Sequence, residues 1–328
     1  MSDLKNKILS MVREDLTEIE HALKQNLNPY LDLISDVASH ILFSGGKRLR
    51  PLLMILSARI CGYKGDMDKT YSTSTIFEYL HAATLLHDDL VDGATLRRGQ
   101  PVAHSIWGNS ITVLTGDFLL ARSLSISVKT GLIKVIQIMT KITEDMSQGE
   151  IHQLTRMGNL DLTEDEYIEI IRRKTAVLMQ GACWTGALIA DASEKEEKAL
   201  AEYGVNLGIA FQMADDLLDY TSDTSILGKE VGADLKEGKL TLPVIYSFKK
   251  ADSEDRIIME KIITDKIFSF NDFELLIELL KKYGGLEYTK RLALKHVEKA
   301  KNFILFFEPS ATKELLLNIA DYALVREA

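Results

Sequence analysis

Proline is scarce in this chain: five in 328 residues, at Pro29, Pro51, Pro101, Pro243 and Pro309. No Gly/Ser-rich linker, low-complexity tract or composition break divides the sequence. The length alone would allow two domains, yet the expected organisation is one domain over residues 1–328. Cysteine is scarcer still, and Cys61 and Cys183 supply neither a metal-ligand spacing nor a disulfide framework. Positive charge is not in excess. The formal net charge of −9 argues against a general nucleic-acid binder. No uninterrupted apolar run approaches the roughly 20 residues that span a bilayer. The first residues, MSDLKNKILSMVREDLTEIEHALKQ, are charged and amphipathic rather than a secretory signal. The expectation is a soluble, cytoplasmic protein with at most transient membrane contact.

Alternating strand patterns are also missing, and helical periodicity fills the space. Leu4, Ile8, Met11, Leu16, Ile19 and Leu23 recur at three-or-four-residue steps. The same logic predicts helices over 4–23, 31–42, 52–61, 70–90, 110–127, 132–156, 163–190, 194–220, 240–250, 254–263, 272–283, 286–307 and 309–325. Gly45-Gly46 marks a helix stop, and Pro51 suits a first helical position. Thr163 with Glu166 reads as a capping box. Residues 93–104 and 222–239 read as loops. The fold class is all-α.

Against this background two acidic clusters stand out. In FEYLHAATLLHDDLVDGATLRRGQPVAH an apolar helical run ends in Asp88, Asp89 and Asp92, followed by Arg97 and Arg98. At about 100° per residue Asp88 and Asp92 share nearly one helix face. FQMADDLLD repeats the spacing with Asp215, Asp216 and Asp219. The helix carrying this second set is apolar nearly all round, through Val205, Leu207, Ile209, Phe211, Met213 and Leu217. Such a helix belongs inside a bundle, and buried carboxylates need cations or hydrogen-bond donors. Three carboxylates at a helix end suit Mg²⁺, which keeps part of its shell for water and phosphate oxygens. Two such clusters can stabilise a departing diphosphate. One solvated acidic helix end would be unremarkable, but two copies of one spacing weigh against that reading.

Other motifs are excluded directly. A calcium loop starting at Asp88 needs an oxygen ligand at its third position and Glu at its twelfth, where the chain has Leu90 and Gly99. GGKRLRP, with Lys47, Arg48 and Arg50, joins a glycine turn to a helix start and can hold a phosphate. It is not a P-loop, and a basic loop alone is more often simply solvated. His81 lies seven residues before Asp88, roughly on the same face; phosphate binding and ordinary core packing are equally weighted for it. His87 and His104 receive no role. No Ser-His-Asp or Cys-His nucleophile arrangement can be assembled.

The blocks GGKRLRP, LLHDDLVDGATLRRGQPVAH, GDFLLARS, KTAVLMQ, FQMADDLLDY and LGKEVGADLKEGKLTLP occur in this order. From about residue 30 onward the chain thereby resembles the trans-isoprenyl diphosphate synthases, or polyprenyl synthetases. The resemblance implies one large bundle of helices around a central cavity, the isoprenoid synthase fold, usually dimeric. It implies a Mg²⁺-dependent 1′-4 trans condensation of isopentenyl diphosphate with an allylic prenyl diphosphate. By that analogy Asp88, Asp89, Asp92, Asp215, Asp216 and Asp219 form the metal-binding surface. Lys174, Lys229, Lys239 and Arg97 would hold the allylic diphosphate, with Gln212 and Thr175 lining that site. Lys47, Arg50, His81 and Arg98 would hold the diphosphate of isopentenyl diphosphate. The catalytic set is then Asp88, Asp89, Asp92, Asp215, Asp216 and Lys174.

Chain length turns on Ala83 and Thr84, five and four residues before Asp88, where short-chain members of the family carry bulky aromatics. Small side chains about one turn deeper along a cavity wall leave room for a longer product. Smallness for helix packing is an equally weighted explanation. The motif spacing resembles octaprenyl and heptaprenyl synthases. Competing readings are a short-chain farnesyl or geranylgeranyl synthase, the catalytic subunit of a heteromeric synthase, a terpene cyclase, and a non-catalytic partner. A cyclase needs no second diphosphate pocket, and a silent subunit would be expected to degrade its aspartates.

Overall fold

The computed structural model describes residues 2–221, 232–265 and 267–324. Among these the chain is built from helices: α1 Ser2–Leu27, α2 Asp32–Leu42, α3 Leu49–Ile60, α4 Met67–Val91, α5 Ala103–Trp107, α6 Asn109–Lys129, α7 Ile133–Thr155, α8 Glu164–Ile171, α9 Val177–Ile189 and α10 Glu194–Thr221. They continue with α11 Ala233–Lys236, α12 Leu242–Lys250, α13 Ser253–Thr264, α14 Phe270–Lys282, α15 Gly285–Ile304 and α16 Ala311–Tyr322. The all-α expectation holds.

Two compact units emerge, and their boundaries fall inside α7, α9, α10, α15 and α16 rather than in a linker. The first comprises Met1–Thr143, Leu178–Gly204 and Lys301–Ile319. It is organised around α4, which packs chiefly along α6 and also against α3 and α1. Asp66 caps α4 by accepting the Lys69 N–H at 3.1 Å, satisfying a donor that the first turn leaves without a partner. Tyr71, Ile76, Phe77, Tyr79, Leu80 and Leu86 then bury the helix on most of its circumference. The buried carboxylate of Asp15 in this unit is held from two elements. Arg59 of α3 donates to both oxygens of Asp15, and Tyr71 donates to Oδ1 of the same carboxylate at 2.7 Å. Gly186 of α9 lies so close to α3 that a Cβ would run into the Met54 carbonyl oxygen.

The second unit comprises Glu144–Val177, Val205–Ala300 and the C-terminal segment from Ala320. Its core joins Tyr220, Leu235, Val244, Met259, Phe273 and Leu280, and a neighbouring cluster joins Tyr167, Ile171, Val205, Ile209 and Met213. The Thr163–Glu166 capping box forms as expected and starts α8.

Several local expectations are corrected. The helix predicted over 163–190 is interrupted by a five-residue π segment, Arg172–Ala176, which a 3.6-residue periodicity cannot reveal because it adds a residue without ending the helix. Helix α3 begins at Leu49, so Pro51 is its third residue rather than its first. The loop 93–104 holds a two-stranded antiparallel ladder, Leu96–Arg97 with Gln100–Pro101, and the start of α5. Strands of two residues are too short to show alternation. The loop expected over 222–239 contains α11 in its described part, a turn too short for periodicity to detect.

Candidate functional site

In the first unit the basic loop depends on unusual backbone. Gly45 and Gly46 adopt φ of 104° and 145°, and Arg48 adopts φ 46°, in the left-handed region. Such a conformation is uncommon for a residue with a Cβ. Arg98, at φ 53° in the turn of the small hairpin, donates to the Gly45 carbonyl and to Ser44 Oγ at 3.4 Å. Arg98 thus clasps the glycine loop that leads into Lys47. Lys47 is exposed and Arg50 half-buried at the start of α3. His81 on α4 is held well below the usual imidazole range by burial, then by the charges of Arg50, Arg98, Arg97 and Arg48. A neutral imidazole offers one N–H to an anion, and the surrounding guanidinium groups carry the charge.

The first acidic cluster closes α4. Asp89 is buried, with 1% of its surface exposed, and its carboxylate takes a fork from Arg97: Nε to Oδ1 at 2.8 Å, Nη2 to Oδ1 at 2.6 Å and Nε to Oδ2 at 3.0 Å. Arg97 is thereby committed to an aspartate in this structure. Asp88 and Asp92 are half-buried, and the Asp92 N–H donates to the Asp88 carbonyl at 2.8 Å. Ala83 is buried and Thr84 half-buried, the Thr84 hydroxyl donating to the His81 carbonyl at 2.9 Å.

The second unit encloses a cavity of about 110 Å³ lined, among others, by Lys174, Thr175, Gln212, Asp216, Asp234 and Lys239. Five of these six were expected from the sequence. They are wired in a row. Thr175 Oγ1 donates to Gln212 Oε1 at 2.9 Å, and Gln212 Nε2 donates to Asp216 Oδ1 at 2.8 Å. The hydroxyl of Tyr167 holds Asp216 Oδ2. Gln212 and Asp216 are four apart on α10 and share a face, whereas Thr175 and Lys174 are carried by the π segment. Lys174 Nζ lies 2.5 Å from Glu150 Oε2 and donates to Gln153 Oε1 at 2.8 Å. Lys239 Nζ pairs with Glu237 at 2.6 Å.

Burial pushes the Asp216 carboxyl up to about 8, and the nearby charges of Asp234 and Asp215 push the same way, against hydrogen bonds from Tyr167 and Gln212. Asp219 accepts the backbone N–H groups of Ala233 and Asp234, each at 3.2 Å, and so anchors α11. Asp215 is half-buried. Lys229 lies outside the described residues. Sequence reasoning missed Asp234 and Tyr167. Asp234 sits inside the block LGKEVGADLKEGKLTLP, and Tyr167 falls seven residues before Lys174, a spacing whose helical phase the π segment changes.

Among the described residues no three His, Cys, Asp or Glu side chains converge as a closed metal cage. The donor set nonetheless fits a hard divalent ion. A carboxylate raised by burial and then by like-charged neighbours is relieved by a cation, and Mg²⁺ needs only one or two carboxylates when water and phosphate fill its other positions.

Known proteins give the same picture. A family model described as polyprenyl synthetase matches residues 31–280. The chain is 35% identical over 324 residues to octaprenyl diphosphate synthase of Escherichia coli, covering 98% of each chain. It is 36% identical over 297 residues to a short chain isoprenyl diphosphate synthase of Methanothermobacter thermautotrophicus, covering 88% of this chain and 89% of the relative. The crystal structure of a polyprenyl synthase from Caulobacter crescentus, complexed with calcium and isoprenyl diphosphate, superimposes with a TM-score of 0.92 at 36% identity and 98% coverage of both chains.

Proposed function

The chain belongs to the polyprenyl synthetase family and is a trans-polyprenyl diphosphate synthase, and from this premise we propose how its residues divide the work. The reaction is the head-to-tail (1′-4) addition of isopentenyl diphosphate to an allylic prenyl diphosphate. The C1–O bond of the allylic partner breaks, its carbocation bonds to C4 of isopentenyl diphosphate, and a proton leaves C2. The released diphosphate takes that proton, so no side-chain base is required.

Lys174, Lys239 and Arg97 hold the allylic diphosphate, as does Lys229. Thr175 and Gln212 line that site. Lys47, Arg50, His81 and Arg98 hold isopentenyl diphosphate. Asp88, Asp89 and Asp92 in one unit, and Asp215, Asp216 and Asp219 in the other, supply carboxylates for Mg²⁺. Bound there, Mg²⁺ would neutralise charge developing on the leaving diphosphate. The protein's own part is to hold both substrates by their diphosphates, orient them and keep water from the cation. The observation that carries this assignment is the row Thr175–Gln212–Asp216 beside Lys174 and Lys239 around one cavity. Cationic and carboxylate groups line one space there, as a small anion with its counter-ion requires.

The product is longer than geranylgeranyl diphosphate, on the argument from Ala83 and Thr84. The relatives include both a long-chain and a short-chain enzyme at similar identity, so similarity alone does not set the length. One polyprenyl synthetase domain spans the chain; unit boundaries inside helices support that reading. Homodimerisation is supported by an apolar stripe on α6, where Leu114 is 65% exposed along with Val113 and Val128. Helix α6 is also long and apolar enough to cross a membrane by length and composition. Asp117 and Arg122 interrupt it, which favours a cytoplasmic protein touching membrane only to release product.

The test is elongation by purified protein with Mg²⁺, labelled isopentenyl diphosphate and farnesyl diphosphate, followed by sizing of the dephosphorylated product. A ladder ending at one length beyond twenty carbons is expected. A ladder that stops at fifteen or twenty carbons refutes the length assignment alone. Activity that appears only on adding a co-purified small protein identifies a catalytic subunit of a heteromeric synthase.

A further inference from the structure

Arg48 stands in the middle of the basic motif, between Lys47 and Arg50, but its charge is directed inward. Its side chain is 5% exposed, against an exposed Lys47 next door. Nε donates to Glu20 Oε1 of α1 at 2.6 Å, Nη1 to Glu78 Oε1 of α4 at 2.6 Å, and Nη2 to the Leu42 carbonyl at the end of α2 at 2.5 Å. One guanidinium therefore ties three helices to the loop that follows Gly46. Arg48 makes these bonds from a left-handed backbone, and Lys47 beside it is exposed.

Two carboxylates at salt-bridge distance leave this group of three with a net negative charge, which makes Arg48 a poor direct ligand for a diphosphate. Glu78 lies three residues before His81 on α4, on the same face. The bond from Arg48 to Glu78 thus fixes the basic loop relative to the helix that carries His81. Only the planar guanidinium fork can meet all three acceptors in this geometry, because an ammonium offers one point of charge.

The geometry points to Arg48, through Glu78 and Glu20, as a positioning residue that sets the spacing of Lys47, Arg50 and His81 for isopentenyl diphosphate. This rests on the assignment of those residues to that substrate. It adds a specific consequence: the Arg48–Glu78 pair governs recognition of one substrate and is indifferent to the other.

Glu78→Gln separates a strut from a ligand by the sign of its effect. Gln keeps the size of the side chain and weakens its hold on Arg48. As a strut, Arg48 then loses its register, and KM for isopentenyl diphosphate rises about tenfold. KM for the allylic substrate and kcat stay within about twofold by the same reasoning, since neither depends on the loop. Were Arg48 a direct ligand, removing a competing carboxylate would free its charge and lower KM for isopentenyl diphosphate. Lowered KM, unchanged KM, or equal rises for both substrates each overturn the proposal. Glu20→Gln, at the more exposed carboxylate, is expected to move KM the same way by about threefold. It carries the test if Glu78→Gln does not fold.

Calorimetric binding of isopentenyl diphosphate to the wild-type chain without Mg²⁺ keeps the two failures apart. Wild type that binds nothing refutes the substrate assignment itself. Wild type that binds, alongside Glu78→Gln and Glu20→Gln binding equally well, refutes the strut alone.

Discussion

The hydroxyl of Tyr167 on α8 reaches across to α10 and holds Oδ2 of Asp216, a carboxylate with only 3% of its surface exposed. Gln212 holds the other oxygen at 2.8 Å. Both oxygens are therefore oriented by neutral donors, and the negative charge itself is left for a cation.

Tyr167→Phe keeps the packing of the ring and removes one of these two bonds. Asp216 then turns more freely, and the Mg²⁺ concentration for half-maximal elongation is expected to rise about tenfold. Titrating activity with Mg²⁺ in wild type and variant checks this. Identical curves would show that Gln212 alone orients the carboxylate.

Metal should also stabilise the fold. Asp216 and Asp234 share one cavity and repel one another, the Asp234 charge helping to push Asp216 up to about 8. A bound cation removes that repulsion and adds its binding energy to the native state. Melting temperature is expected to rise with Mg²⁺ and to fall back on chelation. In Asp216→Asn the rise should shrink.

Acid should weaken the second unit at a residue outside the cavity lining. His296 on α15 is 9% exposed, shares a hydrogen bond of 2.9 Å with Asn206, and is pulled down to about 4 by burial, with Lys299 and Lys295 adding to the effect. Unfolded, the imidazole titrates near its ordinary 6.5. Between these values the unfolded chain binds the extra proton, so stability falls as pH drops from 6.5 toward 4 and levels off below. The loss attributable to this group is about 3 kcal/mol. Denaturant unfolding across that range checks it, and His296→Gln should flatten the acid limb.

Ala83→Phe tests product length. The site is buried, so the larger ring has to displace neighbours, costing about 1–3 kcal/mol of stability, and it should end the ladder at a shorter product. A lower melting temperature with an unchanged product would assign Ala83 to packing alone.

Gly186→Ala is a control for stability without chemistry. The new methyl group meets the Met54 carbonyl oxygen, and the expected cost is about 1–3 kcal/mol. KM values should stay at wild-type level for enzyme that remains folded.

Much of the second-unit cavity was legible in advance, Asp216 from the repeated aspartate spacing and Lys174, Thr175, Gln212 and Lys239 from the family resemblance. Gln212 and Asp216 share a face of α10, and an all-round apolar helix had already announced burial. Asp234 was not, since it enters the cavity from a short turn. The Asp89–Arg97 fork was hidden for a different reason. It depends on a two-residue ladder that folds Arg97 back toward α4, and two residues cannot alternate visibly. Arg48 was read with its basic neighbours because composition does not show which way a side chain points. The left-handed φ of Arg48 is no more visible, since φ is not written in a residue's name outside glycine.

The π segment from Arg172 to Ala176 leaves the helix 164–189 readable in two phases. A π turn carries one residue more than an α turn, so positions before and after it are offset by about 100° from a single helical count. A one-residue deletion at 172–176 would bring the halves back into one phase and swing Lys174 and Thr175 away from Gln212, with hardly any change in helix content. An equal deletion in the exposed turn after α9 would leave both in place. Tolerance to indels along this stretch should therefore be lowest where the backbone already holds one residue too many.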